Sequence, residues 1–435
     1  MSRVTRDAAA APFPAPGRSG QNPRVLIVAH AFPPSPAIGA QRPWGLYRHL
    51  RECGWEPRVL TASAGDQLPG VIRVPHRRPG ERVREWLGLP ANSPGAPGRA
   101  LRSLRRRLAE VSALPDDERG WLSPALAKVL DPAHWGEGFD AVVSTSLPVT
   151  AHVLAARLKE RTGVPWLADL RDLWADNYFY PWGAWRRSYD RRVEKRVLAA
   201  ADALVTVSEP LAQALRERHS KDVAAIPNGF PAEDLAHAGI RLTRSFSITY
   251  TGSIYAGKQD PTPLFAALSR LLQEAEGGPM SFEVRFYGQN VEQAWLRRAI
   301  ASHGLESHVT LGAMLPRHES VARQRESQML LALDWMDERQ PGVYTGKIFE
   351  YLAAQRPIVS IGPPGSVVDT LLQGTRAGCQ FQGGASLCEF LFQSYVAFRK
   401  QGHVPYFGDQ ASIEAYSHAR MARHFARELN NIAAR

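Results

Sequence analysis

Gly342-Val-Tyr-Thr-Gly-Lys-Ile-Phe-Glu350-Tyr-Leu-Ala-Ala-Gln-Arg-Pro-Ile-Val359 is the stretch on which the reading of the fold turns. A glycine-containing turn carrying Lys347 opens a short helix. The helix closes at Gln355-Arg356-Pro357, and an apolar strand runs from Pro357 to Ile361. In an open α/β sheet, loops and helix starts beside the strand ends form the ligand crevice. The free N–H groups of a first helical turn suit a phosphate or diphosphate. Glu350, a turn further in, is placed to accept from sugar or ribose hydroxyls. The competing reading is a capped helix on a strand, with Lys347 and Glu350 merely solvated.

Working outward, strand, Gly/Pro turn, helix and strand recur on both sides. Arg24–Ala29 reads as a buried first strand, followed by a proline-dense turn ending at Gly39 and an amphipathic helix to about Cys53. Further strands are expected near 58–61, 71–74, 139–145, 165–170, 202–208 and 223–226, with a long helix over 184–201 and a helix after Ser208. Residues 231–245 lack an apolar period and read as a linker. The pattern then repeats, with strands at 246–251, 282–287, 308–311, 328–333 and 357–361, and closing helices at about 385–400 and 413–433. This predicts two doubly wound α/β domains, 24–230 and 246–435, with a cleft between their strand ends and the last helix packing back across the linker. Residues 1–23, rich in Ala, Pro and Gly, read as a disordered tail without the apolar run of a signal peptide.

With 435 residues, two cores of ordinary size are expected. Cys53, Cys379 and Cys388 lack metal-ligand spacing, which suits a reducing compartment without disulfide or zinc. No apolar run is long enough to span a bilayer. Of the net charge of +11, nearly all falls before residue 231, so the anionic partner is expected on the first half.

Three pieces can carry chemistry. Gly252-Ser-Ile-Tyr-Ala-Gly-Lys258 follows the first strand of the second half; Gly252 permits a tight turn, and Lys258 supplies a point charge for a diphosphate. In the first half, Asp169-Leu-Arg-Asp-Leu-Trp174 puts two carboxylates around Arg171 at a strand's carboxyl end, expected to face the cleft, an internal ion pair being the alternative. Lastly, an insertion of about 73–135 has a core, 73–107, with ten arginines, among them Arg105, Arg106 and Arg107, beside Trp86 and a leucine spacing. That composition suits a helix on an anionic membrane, or else a solvated loop. No nucleic-acid motif accompanies it.

Together Arg24-Val-Leu-Ile-Val with the turn to Gly39, Asp169-Leu-Arg-Asp-Leu-Trp174, Val205-Thr-Val-Ser-Glu-Pro210, Ile226-Pro-Asn-Gly-Phe230, Thr249-Tyr-Thr-Gly-Ser253 and Gly346-Lys-Ile-Phe-Glu-Tyr-Leu-Ala-Ala354 resemble glycosyltransferase family 4, of the GT-B fold, from about residue 24 to 400. The resemblance implies a retaining, metal-independent glycosyltransferase of hexosyltransferase type, working from a nucleotide-diphosphate sugar with no required cofactor. Its acceptor would be a glycan or lipid-linked precursor of a surface polysaccharide or glycolipid, and it would be cytoplasmic or peripheral on the inner membrane face. It implies that Lys258 steadies the diphosphate with the backbone of Thr345, Gly346 and Lys347, and that Glu350 holds the ribose. Gly252 and Ser253 would line the donor site, and Gly39 would let the first-domain loop approach the phosphates. Asp169 or Asp172, beside Arg171, would orient the acceptor hydroxyl. Two departures stand out: Ser253 where the family often has Arg, and Gly342 where it often has a first Glu, with Asp337 or Glu338 as replacements in the preceding loop. A nucleotide-sugar 2-epimerase-like enzyme and a non-catalytic GT-B binding module are the rival readings.

Overall fold

The computed structural model describes residues 22–76, 110, 113–135, 138–178, 180, 182–235, 240–274, 280–289, 291, 293–336 and 342–434. Trp86, Arg105, Arg106, Arg107, Asp337 and Glu338, as well as nearly all of the expected tail, lie outside the described residues. The chain divides into two compact units. The first ends at Ile226 and takes in the chain again from Ala422; the second is Pro227–Met421.

In the first unit, β1 (Arg24–Ala29), β2 (Glu56–Thr61), β3 (Val71–Arg73), β4 (Ala141–Ser146), β5 (Trp166–Leu170), β6 (Ala203–Thr206) and β7 (Val223–Ala225) form one parallel sheet in the order β3-β2-β1-β4-β5-β6-β7. Every residue of β4, β5 and β6 is buried, because helices cover both faces of a parallel sheet and leave no polar side for alternation. The helix Leu122–Leu130 buries Leu122, Ala125, Leu126 and Val129 in the core that holds Leu26, Val142 and Trp166. Within the expected insertion of about 73–135, Trp121 and this helix thus contribute to the core of the unit.

The second unit carries β8 (Phe246–Thr251), β9 (Phe282–Tyr287), β10 (Val309–Gly312), β11 (Met329–Leu333), β12 (Ile358–Ile361) and β13 (Gly378–Phe381), parallel and ordered β10-β9-β8-β11-β12-β13. The opening stretch forms the helix Ile348–Ala354, stopped by Gln355 in a left-handed conformation and followed by β12. The helix Val367–Thr375 and strand β13 have no counterpart in the sequence reading. β13 is a four-residue edge strand with only partly covered side chains, so neither length nor alternation announces it.

Gly378 shows how tightly that edge is built. A Cβ there would stand 2.0 Å from the Ile358 carbonyl oxygen, a backbone atom that cannot swing aside. Gly378→Ala should lower unfolding stability by about 1–3 kcal/mol in urea titration. Gly374→Ala, in the neighbouring helix with nothing within 4 Å of the new methyl, should be neutral or stabilising. Equal stability of the two variants would contradict the packing described.

Candidate active site

In each sheet the strand order reverses once, between β1 and β4 and between β8 and β11. At such a reversal the following loops turn to opposite faces and leave a crevice beyond the carboxyl ends of the strands. The expected donor loop, 252–258, follows β8 and so borders the second unit's crevice. It is fastened to the facing loop after β11: Met336 N–H donates to the Lys258 carbonyl (3.0 Å), and the Gln259 amide donates to the Leu333 carbonyl (2.6 Å).

Gly252 sits at φ +144°, where a side chain is strained, and a Cβ on Gly288 would lie 1.9 Å from the Gly252 oxygen. The loops after β8 and β9 are thus pressed backbone to backbone. A Cβ at Gly252 would meet the Lys347 side chain at 3.6 Å, so the 252–258 loop and the turn before Ile348–Ala354 are neighbours. Ser253 gives its carbonyl to the Tyr250 hydroxyl (2.8 Å). Lys258 is half-buried, and among the described residues its ammonium pairs with no carboxylate.

Thr345, Gly346 and Lys347 form the turn into the helix, with Ile348 N–H donating to the Thr345 carbonyl (3.1 Å). The Tyr351 hydroxyl accepts from Thr251 N–H (2.8 Å), locking this helix to the end of β8. Glu350 is nearly enclosed, its side chain 11% exposed. It accepts from Lys347 Nζ (2.9 Å) and from Gln324 Nε2 (3.1 Å), and its other oxygen lies 3.8 Å from Arg317 Nε. Gln324 also donates to the Thr251 hydroxyl (2.8 Å). The structure thus gathers Gly252, Lys347 and Glu350, and adds Gln324 and Arg317, which sequence reasoning missed. The helix Arg317–Glu326 is so rich in charge that its buried positions, Ser320, Val321 and Gln324, do not stand out.

Asp334 was also missed. It is buried at the carboxyl end of β11, accepting from Ser366 Oγ (2.6 Å) and from Trp335 N–H (2.8 Å). Burial, opposed by these hydrogen bonds, pushes its carboxyl up to about 6. The available signal was a carboxylate directly after the apolar run Met329–Leu333. Among the described residues, no group of three His, Cys, Asp or Glu stands ready to hold a metal ion.

The first unit corrects one expectation. Asp169 is fully enclosed, and both its oxygens are taken by Arg42, through Nε and Nη2 at 2.9 Å each, with Thr145 Oγ1 adding a third bond at 2.8 Å. It anchors β5 to the helix after β1 and, fully enclosed, exposes no oxygen to an incoming acceptor. Arg171, freed of that carboxylate, donates to the main-chain carbonyls of Ser146 and Leu147. Its guanidinium lies where a Cβ on Gly39 would be, 2.6 Å from Nη1, so Gly39 lets the β1 loop close over Arg171. Asp172 accepts from the Tyr178 hydroxyl (2.9 Å), and burial raises it above the usual carboxylate range despite Arg171. Exposed Ile38 and Leu147 flank this group. Beneath it, burial drives His152 down to about 4, leaving a neutral ring 2.7 Å from Ser144 Oγ.

Residues 39–229 match the model of the glycosyl transferase 4-like domain. Among solved structures, a glycosyltransferase from Rickettsia africae aligns with a TM-score of 0.57 at 12% identity, over 94% of this chain and 98% of its own. Anabaena HepE in complex with UDP and glucose aligns at 0.56 and 15% identity, over 94% and 100%. The N-terminal domain of Candida albicans trehalose-6-phosphate phosphatase aligns at 0.60 and 11% identity, over 97% and 99%. No curated protein sequence matches the chain. The two sheets are those of the GT-B type, as expected from sequence.

Asp334 gives the site a pH signature. Its folded form takes up a proton at a higher pH than the unfolded chain, so stability falls as pH rises from about 4 through 6. The full penalty, on the order of 2–3 kcal/mol, is present by pH 7. Asp334→Asn should abolish that slope in urea unfolding measured from pH 4 to 7.5. Parallel profiles for the two proteins would contradict the burial described.

Proposed function

We propose that this chain, whose residues 39–229 match a glycosyl transferase 4-like domain, moves a sugar from a nucleotide-diphosphate donor to a glycan or lipid-linked acceptor. The observation that carries the reading is Lys258, a cation without a carboxylate partner among the described residues, at the switch point of the second sheet. Departure of a nucleoside diphosphate concentrates negative charge on oxygen. A preorganised cation and backbone N–H groups aimed there supply most of the needed stabilisation. Lys258 takes that role, with the 252–258 loop giving close backbone approach. Glu350, held by Gln324 and Lys347, is offered to ribose hydroxyls, and its fixed position keeps the donor from sliding.

On the first unit, Arg171 and Asp172 receive the acceptor. The Asp172 carboxyl and Tyr178 hydroxyl suit a sugar hydroxyl, the Arg171 guanidinium suits a phosphate, and exposed Ile38 and Leu147 suit an apolar tail. An acceptor with all three features is a glycolipid precursor of surface polysaccharide carried on a phosphorylated lipid, met by a peripheral enzyme on the inner face of the membrane. Transfer is assigned the retaining course, with attack on the face the diphosphate leaves, so no protein nucleophile is required. Hexosyl donors and independence from metal belong to the same proposal. One observation favours a binding module without turnover: Gly342 and Ser253 stand where a carboxylate and a guanidinium would contact the sugar.

Labelled nucleotide sugars with lipid-phosphate-linked acceptors separate the readings. Lys258→Ala should lower kcat/KM by about 100- to 1,000-fold, and Glu350→Ala should raise the donor KM by at least about 10-fold. Transfer unchanged in both variants would sink the site assignment. Donor-induced thermal stabilisation without turnover across the panel would select the binding module, and sugar conversion without acceptor the epimerase.

A further inference from the structure

The helix Ala184–Ala199 is built inside out. Its buried positions are Arg186, Asp190, Glu194 and Leu198, three of the four charged. Each inward charge is satisfied within the first unit. Arg186 donates to Asp190 (2.9 Å) and to the carbonyls of Glu110, Ala113 and Pro115, and Tyr180 donates to Asp190 (2.6 Å). Glu194 accepts from Ala175 N–H (3.1 Å) and stands 3.0 Å from His219 Nε2 and 3.3 Å from Arg218. The outward side carries what a core would ordinarily take. Trp185 is 52% exposed and Tyr189, one turn on, 43%. Arg192, Lys195 and Arg196 follow along the helix, all exposed.

Both acidic residues of this helix are in the buried set, so its solvent face holds cations with no anion of its own. Among the described residues, Arg191 alone of the helix's exposed cations is matched, by Asp176 at 2.7 Å. Two large aromatic surfaces kept in water forgo the transfer energy that burial would bring. Indole and phenol rings are at home in the headgroup layer of a bilayer, with the ring body among acyl carbons and the polar edge in water. Basic residues on the adjoining turns match anionic headgroups. A soluble polyanion would engage the cations but give the indole nothing to enter.

We propose that the Trp185–Tyr189–Arg192–Arg196 face of this helix is a docking surface for an anionic lipid bilayer. This rests on the proposed function only for its purpose, since it assigns the membrane contact of that reading to a particular helix; the contact itself needs no substrate. The contact differs from the arginine-rich stretch 73–107 in being carried by described residues of a single rigid helix.

The test is co-sedimentation of the full chain, without donor or acceptor, with vesicles of phosphatidylcholine containing about one third phosphatidylglycerol. Binding should be strong there, weak on pure phosphatidylcholine, and reduced by salt as the screening length shrinks below about 10 Å. Trp185→Ser with Tyr189→Ser should lower the partition coefficient about 10-fold. Arg192→Glu, Lys195→Glu and Arg196→Glu together should lower it by at least about 100-fold, on the order of fivefold per charge. Donor-induced thermal shift in both variants should equal that of the parent, which also reports that they fold. Absence of binding to anionic vesicles, equal binding to neutral ones, or a loss confined to an Arg105→Glu, Arg106→Glu, Arg107→Glu variant would overturn the proposal. A failed donor assay with vesicle binding intact would instead count against the transferase reading alone.

Discussion

A carboxylate sealed in protein must be neutralised, and in the first unit that demand is met at Asp169. With no solvent contact, it would be costly to ionise unless opposite charge and hydrogen bonds reached both oxygens. Arg42 and Thr145 do so. The pairing joins three neighbouring elements, because Thr145 is the penultimate residue of β4, Asp169 lies near the end of β5, and Arg42 is in the helix that follows β1. It also decides which of the clustered charges face outward. Arg171 donates to main-chain carbonyls and lies against Gly39, while Asp172 accepts from the Tyr178 hydroxyl.

The second unit solves a related problem largely with neutral groups, Lys347 at 2.9 Å adding the nearest charged partner of Glu350 among the described residues. Gln324 spans Thr251 and Glu350, Tyr351 returns to the Thr251 backbone, and Asp334 relies on Ser366 and Trp335 N–H. Together these bonds tie the ends of β8 and β11 to the helices Arg317–Glu326 and Ile348–Ala354 and to Ser366, the cap of Val367–Thr375. Lys258 stands apart from this network. Among the described residues its ammonium has no carboxylate partner, whereas the carboxylates of the polar frame beside it are hydrogen-bonded.

Much of this is legible in the amino-acid sequence, and what is not has physical causes. Strands such as β1, after its first residue, and β11 are uninterrupted apolar runs, the mark of a parallel sheet covered on both faces. The Gly252 and Gly346 loops announced themselves by composition. β13 did not, being four residues of mixed exposure whose place is set by pairing with β12. The Asp169–Arg42 pair spans 127 residues, and nothing local in Asp169-Leu-Arg-Asp distinguishes the carboxylate that will be consumed from the one left over. Gln324 escaped notice similarly, since its significance comes from Glu350 and Thr251 meeting it from two other elements.

Arg73 and Arg186 stand on either side of the stretch 77–109, and both grip main-chain oxygens. Arg73 donates to the carbonyls of Pro33, Ser63 and Asp66, and Arg186 to those of Glu110, Ala113 and Pro115. A carbonyl is the same whichever side chain its residue bears, so these fasteners are indifferent to sequence. Side-chain exchange at Pro33, Ser63, Asp66, Glu110, Ala113 or Pro115 therefore leaves the acceptors of both anchors in place.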